Sequence, residues 1–346
     1  MSEGSTIAFI TFSYISFIVL LLPAKWHLRA GNYGILLMVF WGALGSLTQG
    51  TTALLFRNRA DNFCPGWCDF SGAVQYVYPV GFLAGSLRLL MKLESIASTR
   101  QVSQSHADRR HTLVLDIALG LGLPLLMIPL RLVVQGHRMD IVEGFGCEPP
   151  IYPSVAAVLL YQIWPLVLDL CCLGYALATI RWFLLRRRQF AAVVASSDSG
   201  LNFNKYLRLL VMSGLQVVVW TPVSIYLFVR NQTTLPHKPY DSWNSVHRHF
   251  DMTYSYTKSS GLLTPALLED LEMGRWIGVC GALVLFLFLG TNIESMNEYR
   301  RWASVVASPF STRSRAAAKA AVGHPVVRRH ESSVQAPAEE EEGQLR

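Results

Sequence analysis

Seven stretches of this 346-residue chain are apolar enough and long enough to cross a lipid bilayer, where a spanning helix takes about 20 mainly apolar residues. They fall near Thr6–Leu22, Tyr33–Phe56, Gly72–Leu93, Thr112–Val134, Tyr152–Leu185, Leu207–Val229 and Trp276–Ile293. The third carries Arg88 and Lys92 toward its end, and the fourth carries Asp116 and two prolines. Inside hydrocarbon each segment must satisfy its own backbone, so segments of this kind fold as helices. The expected architecture is an all-α membrane protein, a seven-transmembrane helix bundle over residues 1–303. Residues 304–346 are rich in Ser, Ala and charge, end in the acidic run Glu339–Glu342, and hold too few apolar residues to fold alone. They read as a disordered cytoplasmic tail.

Positive charge alternates between the loops, and cytoplasmic loops carry the excess of Lys and Arg. Lys25 and Arg29 follow the first span, Arg100, Arg109 and Arg110 the third, and Arg186, Arg187 and Arg188 the fifth. Arg300, Arg301, Arg313 and Arg315 follow the seventh. These four segments share one side, so the N-terminus is expected outside and the C-terminus in the cytoplasm. The first apolar stretch lacks a basic region before it and reads as an uncleaved helix rather than a signal peptide. The net charge of +7 reflects this basic face. It suits anionic lipid headgroups and not nucleic acid, because no separate basic domain is present.

Cys64, Cys68 and Cys147 fall on the expected outside, where disulfides persist. Cys68–Cys147 is the preferred bridge, tying the loop after the fourth span over the bundle mouth. Cys64–Cys68 and Cys64–Cys147 are the alternatives, since pairing does not follow from sequence. The single CPGWC pair does not make a zinc site, and no metal or cofactor is expected. Asn231 opens an Asn-Gln-Thr glycosylation sequon on the same side. The loop of roughly 231–273 is long and holds SWNSVHRHF. It reads either as aromatics packed back on the mouth or as a partly ordered surface loop.

Intramembrane ionisable residues mark catalysis and transport. Asp116 and Asp169 sit at different depths, which disfavours an intramembrane aspartyl protease. The last span has no Lys for a retinal-type pump, no span holds a His, and no internal repeat of the transporter kind is visible. An enzyme is therefore not expected, and a transporter or channel is the alternative reading. Pro124, Pro129, Pro165 and Pro222 interrupt spans, each removing a backbone donor. Trp164 and Trp220 place large rings beside two of them, as a helix with two packings would.

Several motifs in order make the chain resemble the fungal mating pheromone receptors of the a-factor type, class D G-protein-coupled receptors. LPAKWHLRAGNYG follows the first span, WCDF opens the third and LESIAS closes it. QGHRMDIVEGFGCEPPIY is the most specific stretch, followed by Trp164-Pro165, Tyr175, IRWFLLRRRQF, KYLRLL and SWNSVH. The resemblance spans roughly residues 6–300. It implies a multi-pass plasma-membrane receptor for a farnesylated peptide pheromone, which shifts helix packing and activates a heterotrimeric G protein through its alpha subunit. Membrane lipids are the remaining partners. By position and side-chain chemistry, Tyr76, Tyr78, Tyr161, Trp164, Trp243 and His247 are the candidate ligand contacts. Arg181, Arg186, Arg187, Arg188 and Arg208 are the candidate G-protein contacts.

Overall fold

The computed structural model describes residues 3–98, 106–196, 210–234, 236–258, 260–291, 295–301 and 304. The chain divides into two units, Met1–Met296 and Asn297–Arg346. In the second unit the described residues are helical, with Arg301 and Glu298 3.9 Å apart across one turn. The expected disordered tail lies, from residue 305 on, outside the described residues.

The first unit is built from long helices: α1 (Glu3–Leu21), α2 (Ala24–Arg29), α3 (Tyr33–Leu55), α4 (Pro65–Ala97), α5 (His106–Ile117) and α6 (Leu123–Val133). They continue as α7 (Val155–Ala157), α8 (Ile163–Ser196), α9 (Thr221–Thr234), α10 (Trp243–Val246) and α11 (Pro265–Leu289). Among the described residues, six helical stretches are long and apolar enough to cross a membrane: Glu3–Arg29, Tyr33–Leu55, Arg110–Val133, Val155–Leu185, Leu210–Thr234 and Leu267–Leu289. The last helix starts at Pro265, well before the expected Trp276, because Thr264 caps it through a hydrogen bond to the Leu267 amide.

α1 is amphipathic in the sense opposite to that of a helix of a protein in water. α1 buries Thr6, Ser13 and Ser16 and turns Ile7, Phe12, Ile15 and Ile18 outward, at 40–57% exposure. Such an apolar outer face is stable against lipid, while small residues let helices approach closely. The close approach is sharpest between α3 and α4: a side chain on Gly85 would lie 2.9 Å from the Gly34 carbonyl oxygen. α4 lies at the centre, packed on α3, α8 and α6. It buries Val77, Val80, Leu87, Leu90 and Leu93 in the main core with Trp41, Met127 and Cys172.

Among the described residues, three π-helical turns interrupt the bundle, at Ala118–Gly122, Val158–Gln162 and Gln216–Trp220. Each precedes a proline: Pro124, Pro165 and Pro222. Proline lacks an amide proton and its ring clashes with the carbonyl four residues back. Those carbonyls belong to Gly120, Tyr161 and Val218, and all three lie inside the π turns. The wider turn accommodates the clash. The Gly120 carbonyl finds a new donor in the Trp41 indole, 2.8 Å away.

The all-α expectation is corrected at one end of the bundle. There the loops form a three-stranded sheet of order β2-β1-β3, made of β1 (His137–Val142), β2 (Gly146–Glu148) and β3 (His249–Tyr256). β1 pairs antiparallel with β2 and parallel with β3. Met139 and Ile141 alternate into the core while Arg138 and Asp140 are less buried, the period-two pattern of a half-buried strand. Gly144, at φ 87°, turns β1 into β2. In the long loop after α9, His249–Tyr256 is thus ordered by strand pairing.

Candidate functional site

The sheet is fastened to the helices at several points. Cys147 on β2 is disulfide-bonded to Cys68 on α4, with Cα atoms 5.3 Å apart, while Cys64 is free. The Gly144 amide donates to the Phe56 carbonyl at 2.8 Å. Arg138 on β1 forms a forked ion pair with Asp69 on α4, at 2.5 and 3.1 Å. Arg275 on α11 donates to both oxygens of Glu272, to Ser5 and to the Gly144 carbonyl. Its guanidinium lies 4.6 Å from the Phe9 ring centre and 4.4 Å from that of Phe145. One arginine therefore joins α1, the β1–β2 turn and α11.

Beneath this sheet is a polar cavity of about 200 Å³. Its walls are Gln49 and Thr52 on α3, Gln75 and Tyr78 on α4, Glu148 on β2, and Asp270 and Arg275 on α11. Gln75 Nε2 donates to Glu148 Oε2 at 2.8 Å. Burial pushes the Glu148 carboxyl up to about 7, with the charge of Asp140 adding to the rise while Gln75 and Arg275 oppose it. This carboxyl changes charge in the neutral range.

A second cavity, of about 210 Å³ and mainly apolar, lies deeper, between α3, α4, α8, α9 and α11. Phe82, Leu83, Trp220, Leu227, Ile277 and Val284 contribute to its walls. Gln49 and Tyr78 line both cavities, and the Gln49 amide donates to the Tyr78 hydroxyl oxygen at 3.2 Å. Asp169 is at its edge, accepting from Gln216 Nε2 at 2.6 Å.

Of the six ligand-contact candidates, Tyr78 lines the cavities. Tyr76 and Tyr161 pack with tilted rings, their centres 4.5 Å apart, and Arg131 sits over Tyr76 at 4.5 Å. The Tyr76 hydroxyl donates toward the Pro149 and Pro150 carbonyls, so this pair, with Trp164 packed beside it, carries the segment after β2. Trp243 and His247 stack at 3.8 Å on the sheet end, with a His247 ring nitrogen 2.8 Å from the Leu132 carbonyl. Asn231 is exposed on the last turns of α9. Gln49, Gln75, Glu148, Arg275 and Trp220 were not singled out for ligand contact in the sequence. The one available signal was the run Gly274, Gly278 and Gly281, whose spacing puts small residues on one face of a helix.

At the opposite end, Arg88 Nε on α4 and Asp116 Oδ1 on α5 form a buried ion pair at 2.6 Å. Trp182 on α8 donates to Glu94 on α4 at 3.1 Å. Arg181 is exposed on α8, and Arg186, Arg187 and Arg188 continue the same helix. Arg208 lies outside the described residues. Among the described residues no group of three or more His, Cys, Asp or Glu is placed to hold a metal ion.

Residues 8–309 match the family model described as STE3, pheromone A receptor. The chain is 35% identical over 281 residues to pheromone receptor 2 of Mycosarcoma maydis, covering 81% of each protein. It is 31% identical over 289 residues to pheromone receptor 1 of the same organism, covering 84% of this chain and 81% of that one. To the pheromone a factor receptor of Saccharomyces cerevisiae it is 23% identical over 305 residues, 85% of this chain and 61% of the relative. With the match running across the whole helical bundle, this chain belongs to the pheromone A receptor family.

Proposed function

We propose that the chain is a seven-span G-protein-coupled receptor of the plasma membrane that binds a farnesylated peptide pheromone and activates a Gα subunit. The observation that carries this reading is the polar cavity under the disulfide-tethered sheet, a recess whose hydrogen-bonding groups suit a segment of a peptide chain. α4 is the seventh crossing helix: its 33 residues reach about 50 Å at 1.5 Å per residue. Its polar residues are tolerated because it is surrounded by other helices rather than lipid.

The sheet end faces outside with the N-terminus, and the arginine-rich end faces the cytoplasm. Support comes from the disulfide, which belongs on an oxidising side, and from the basic residues, which belong on the cytoplasmic side. Tyr78 meets the peptide within the cavity, and Trp243 and His247 meet it at the rim. Arg181, Arg186, Arg187, Arg188 and Arg208 receive the Gα subunit. Asn231 is the glycan acceptor on the outer side.

The test is a response assay in fungal cells lacking their own pheromone receptors. A panel of synthetic farnesylated peptides is applied, and G-protein-dependent transcription is read. The expected result is a response to one peptide that disappears when the farnesyl group is removed. A surface-expressed receptor that responds equally to the unprenylated peptide would refute the reading.

A further inference from the structure

The two cavities differ in chemistry and share a wall. The one under the sheet presents carboxyl, amide and guanidinium groups beside Phe9, Phe145 and Leu271, and the deeper one mainly aliphatic and aromatic side chains, with Asp169 and Gln216 among them. At the shared wall the Gln49 amide donates to the Tyr78 oxygen, which leaves the Tyr78 proton for a carbonyl acceptor. α11 supplies the space: Gly274 lines the polar cavity, while Gly278 and Gly281 line the apolar one. A side chain on Gly278 would come 2.9 Å from the Tyr78 hydroxyl, and one on Gly281 would come 3.6 Å from the Trp220 ring.

The apolar cavity opens between two helices of the bundle, α9 and α11. Val223, Ser224 and Leu227 on α9 and Ile277, Gly281 and Val284 on α11 line it from two sides. Arg230 and Asp270, 3.2 Å apart, link them at the sheet end. A chain arriving from lipid would enter beside this link and reach Tyr78 from below.

Resting on the receptor reading above, we infer that the prenyl chain of the ligand occupies the cavity between α9 and α11, with its cysteine ester at the Gln49–Tyr78 wall and its peptide rising into the polar cavity. The ligand is thereby oriented, C-terminus deep and N-terminus under the sheet. The cavity is smaller than the roughly 300–1,000 Å³ of ordinary small-molecule sites. Seating a C15 chain therefore separates α9 from α11. That differential fit between two packings is what a ligand needs in order to shift an equilibrium.

The experiment uses the full chain in neutral phospholipid nanodiscs and an S-farnesyl-cysteine methyl ester whose prenyl end carries a diazirine. After illumination, the label should map to Trp220–Leu227 and Ile277–Leu285 and be competed by unlabelled S-farnesyl-cysteine methyl ester. Gly281→Leu grows into the cavity and should cut this labelling at least fivefold. Gly281→Ala, which makes only an ordinary contact with Trp220, should keep labelling within twofold and controls for folding. Label confined to lipid-facing residues such as Ile15, Leu126 and Leu177, or unchanged by Gly281→Leu, overturns the inference. In cells, Gly281→Leu should raise the half-maximal concentration of a farnesylated peptide at least tenfold and that of its C5-prenyl analogue less than twofold. Equal loss for both chain lengths overturns the inference, whereas a wild-type chain that labels at this site but signals to no peptide overturns the receptor reading instead.

Discussion

Replacing one member of the Arg88–Asp116 pair should destabilise the bundle far more than replacing both. The Arg88 Nε and Asp116 Oδ1 atoms are 2.6 Å apart, with side chains only 9% and 8% exposed. At an effective dielectric of about 20 the gross attraction is roughly 6 kcal/mol, set against the cost of taking two ions out of solvent. Removing one partner strands the other, which costs about 3–5 kcal/mol, whereas an apolar pair of similar volume is about neutral. Asp116→Leu should be the worse single change, because a guanidinium cannot shed its charge. Its remaining contacts, the Met91 sulfur and the Thr112 carbonyl at 3.5 Å, are long. With roughly 2–4 °C of midpoint per kcal/mol, Asp116→Leu and Arg88→Met should each lower the melting point by roughly 6–20 °C. The double variant should recover most of that loss. With Cys64, Cys171 and Cys280 replaced by Ser, the buried Cys172 thiol is a convenient reporter, since a thiol-reactive fluorogenic dye reaches it only as the bundle opens. A double variant that melts as low as the sum of the two singles would show that the residues act independently and would refute the argument.

The Trp41 indole serves the carbonyl displaced by Pro124, so Trp41→Phe should cost about 1–3 kcal/mol. In a Pro124→Ala background, where the amide donor is restored, thermal melts should show a smaller cost. Cys147→Ser opens a bridge with a sequence separation of 79, worth at most about 4.5 kcal/mol in chain entropy. It should lower thermal stability and cell-surface level, while Cys64→Ser, at a free thiol, should leave both unchanged. Because the folded protein holds Glu148 up at about 7, it binds more protons than the unfolded chain between roughly pH 4.5 and 7. Stability from this group is therefore present at the acidic end and lost as pH rises to 7; Glu148→Gln should flatten the melting point across that window. Asn231→Gln should abolish any mobility shift produced by glycosidase treatment; a shift that survives the substitution places the glycan elsewhere.

The helices were legible because hydropathy is a local property. The expected Tyr33–Phe56 span and the observed Tyr33–Leu55 helix differ by one residue, and Thr112–Val134 agrees comparably with Arg110–Val133. The start of α11 was not legible, since its first turns hold Glu269, Asp270, Glu272 and Arg275 and look like a loop. Asp270 pairs with Arg230 and Arg275 with Glu272, and neither pairing follows from spacing alone. Arg88 and Asp116 stood out singly as charges in apolar segments, but their union depends on how α4 and α5 are rotated. The parallel pairing of β1 with β3 joins segments more than 100 positions apart, beyond any hairpin signal. The cavities depend on which helix faces meet, so Tyr78 was singled out through its chemistry while Gln49 and Glu148, which line a cavity with it, were not.

The β1–β3 ladder divides the molecule in an unexpected place. Asp140 aligns with Tyr254 and Val142 with Tyr256, so the strands bond the chain before α8 to the chain after α9. A polypeptide cut between Ser196 and Leu210 would yield two fragments, one ending with α8 and one beginning in the sixth apolar stretch. These halves share a backbone-paired seam as well as helix surfaces, and co-expressed they should reassemble as a split receptor. Trimming β3 from the second fragment should then weaken reassembly while leaving every membrane-crossing segment intact.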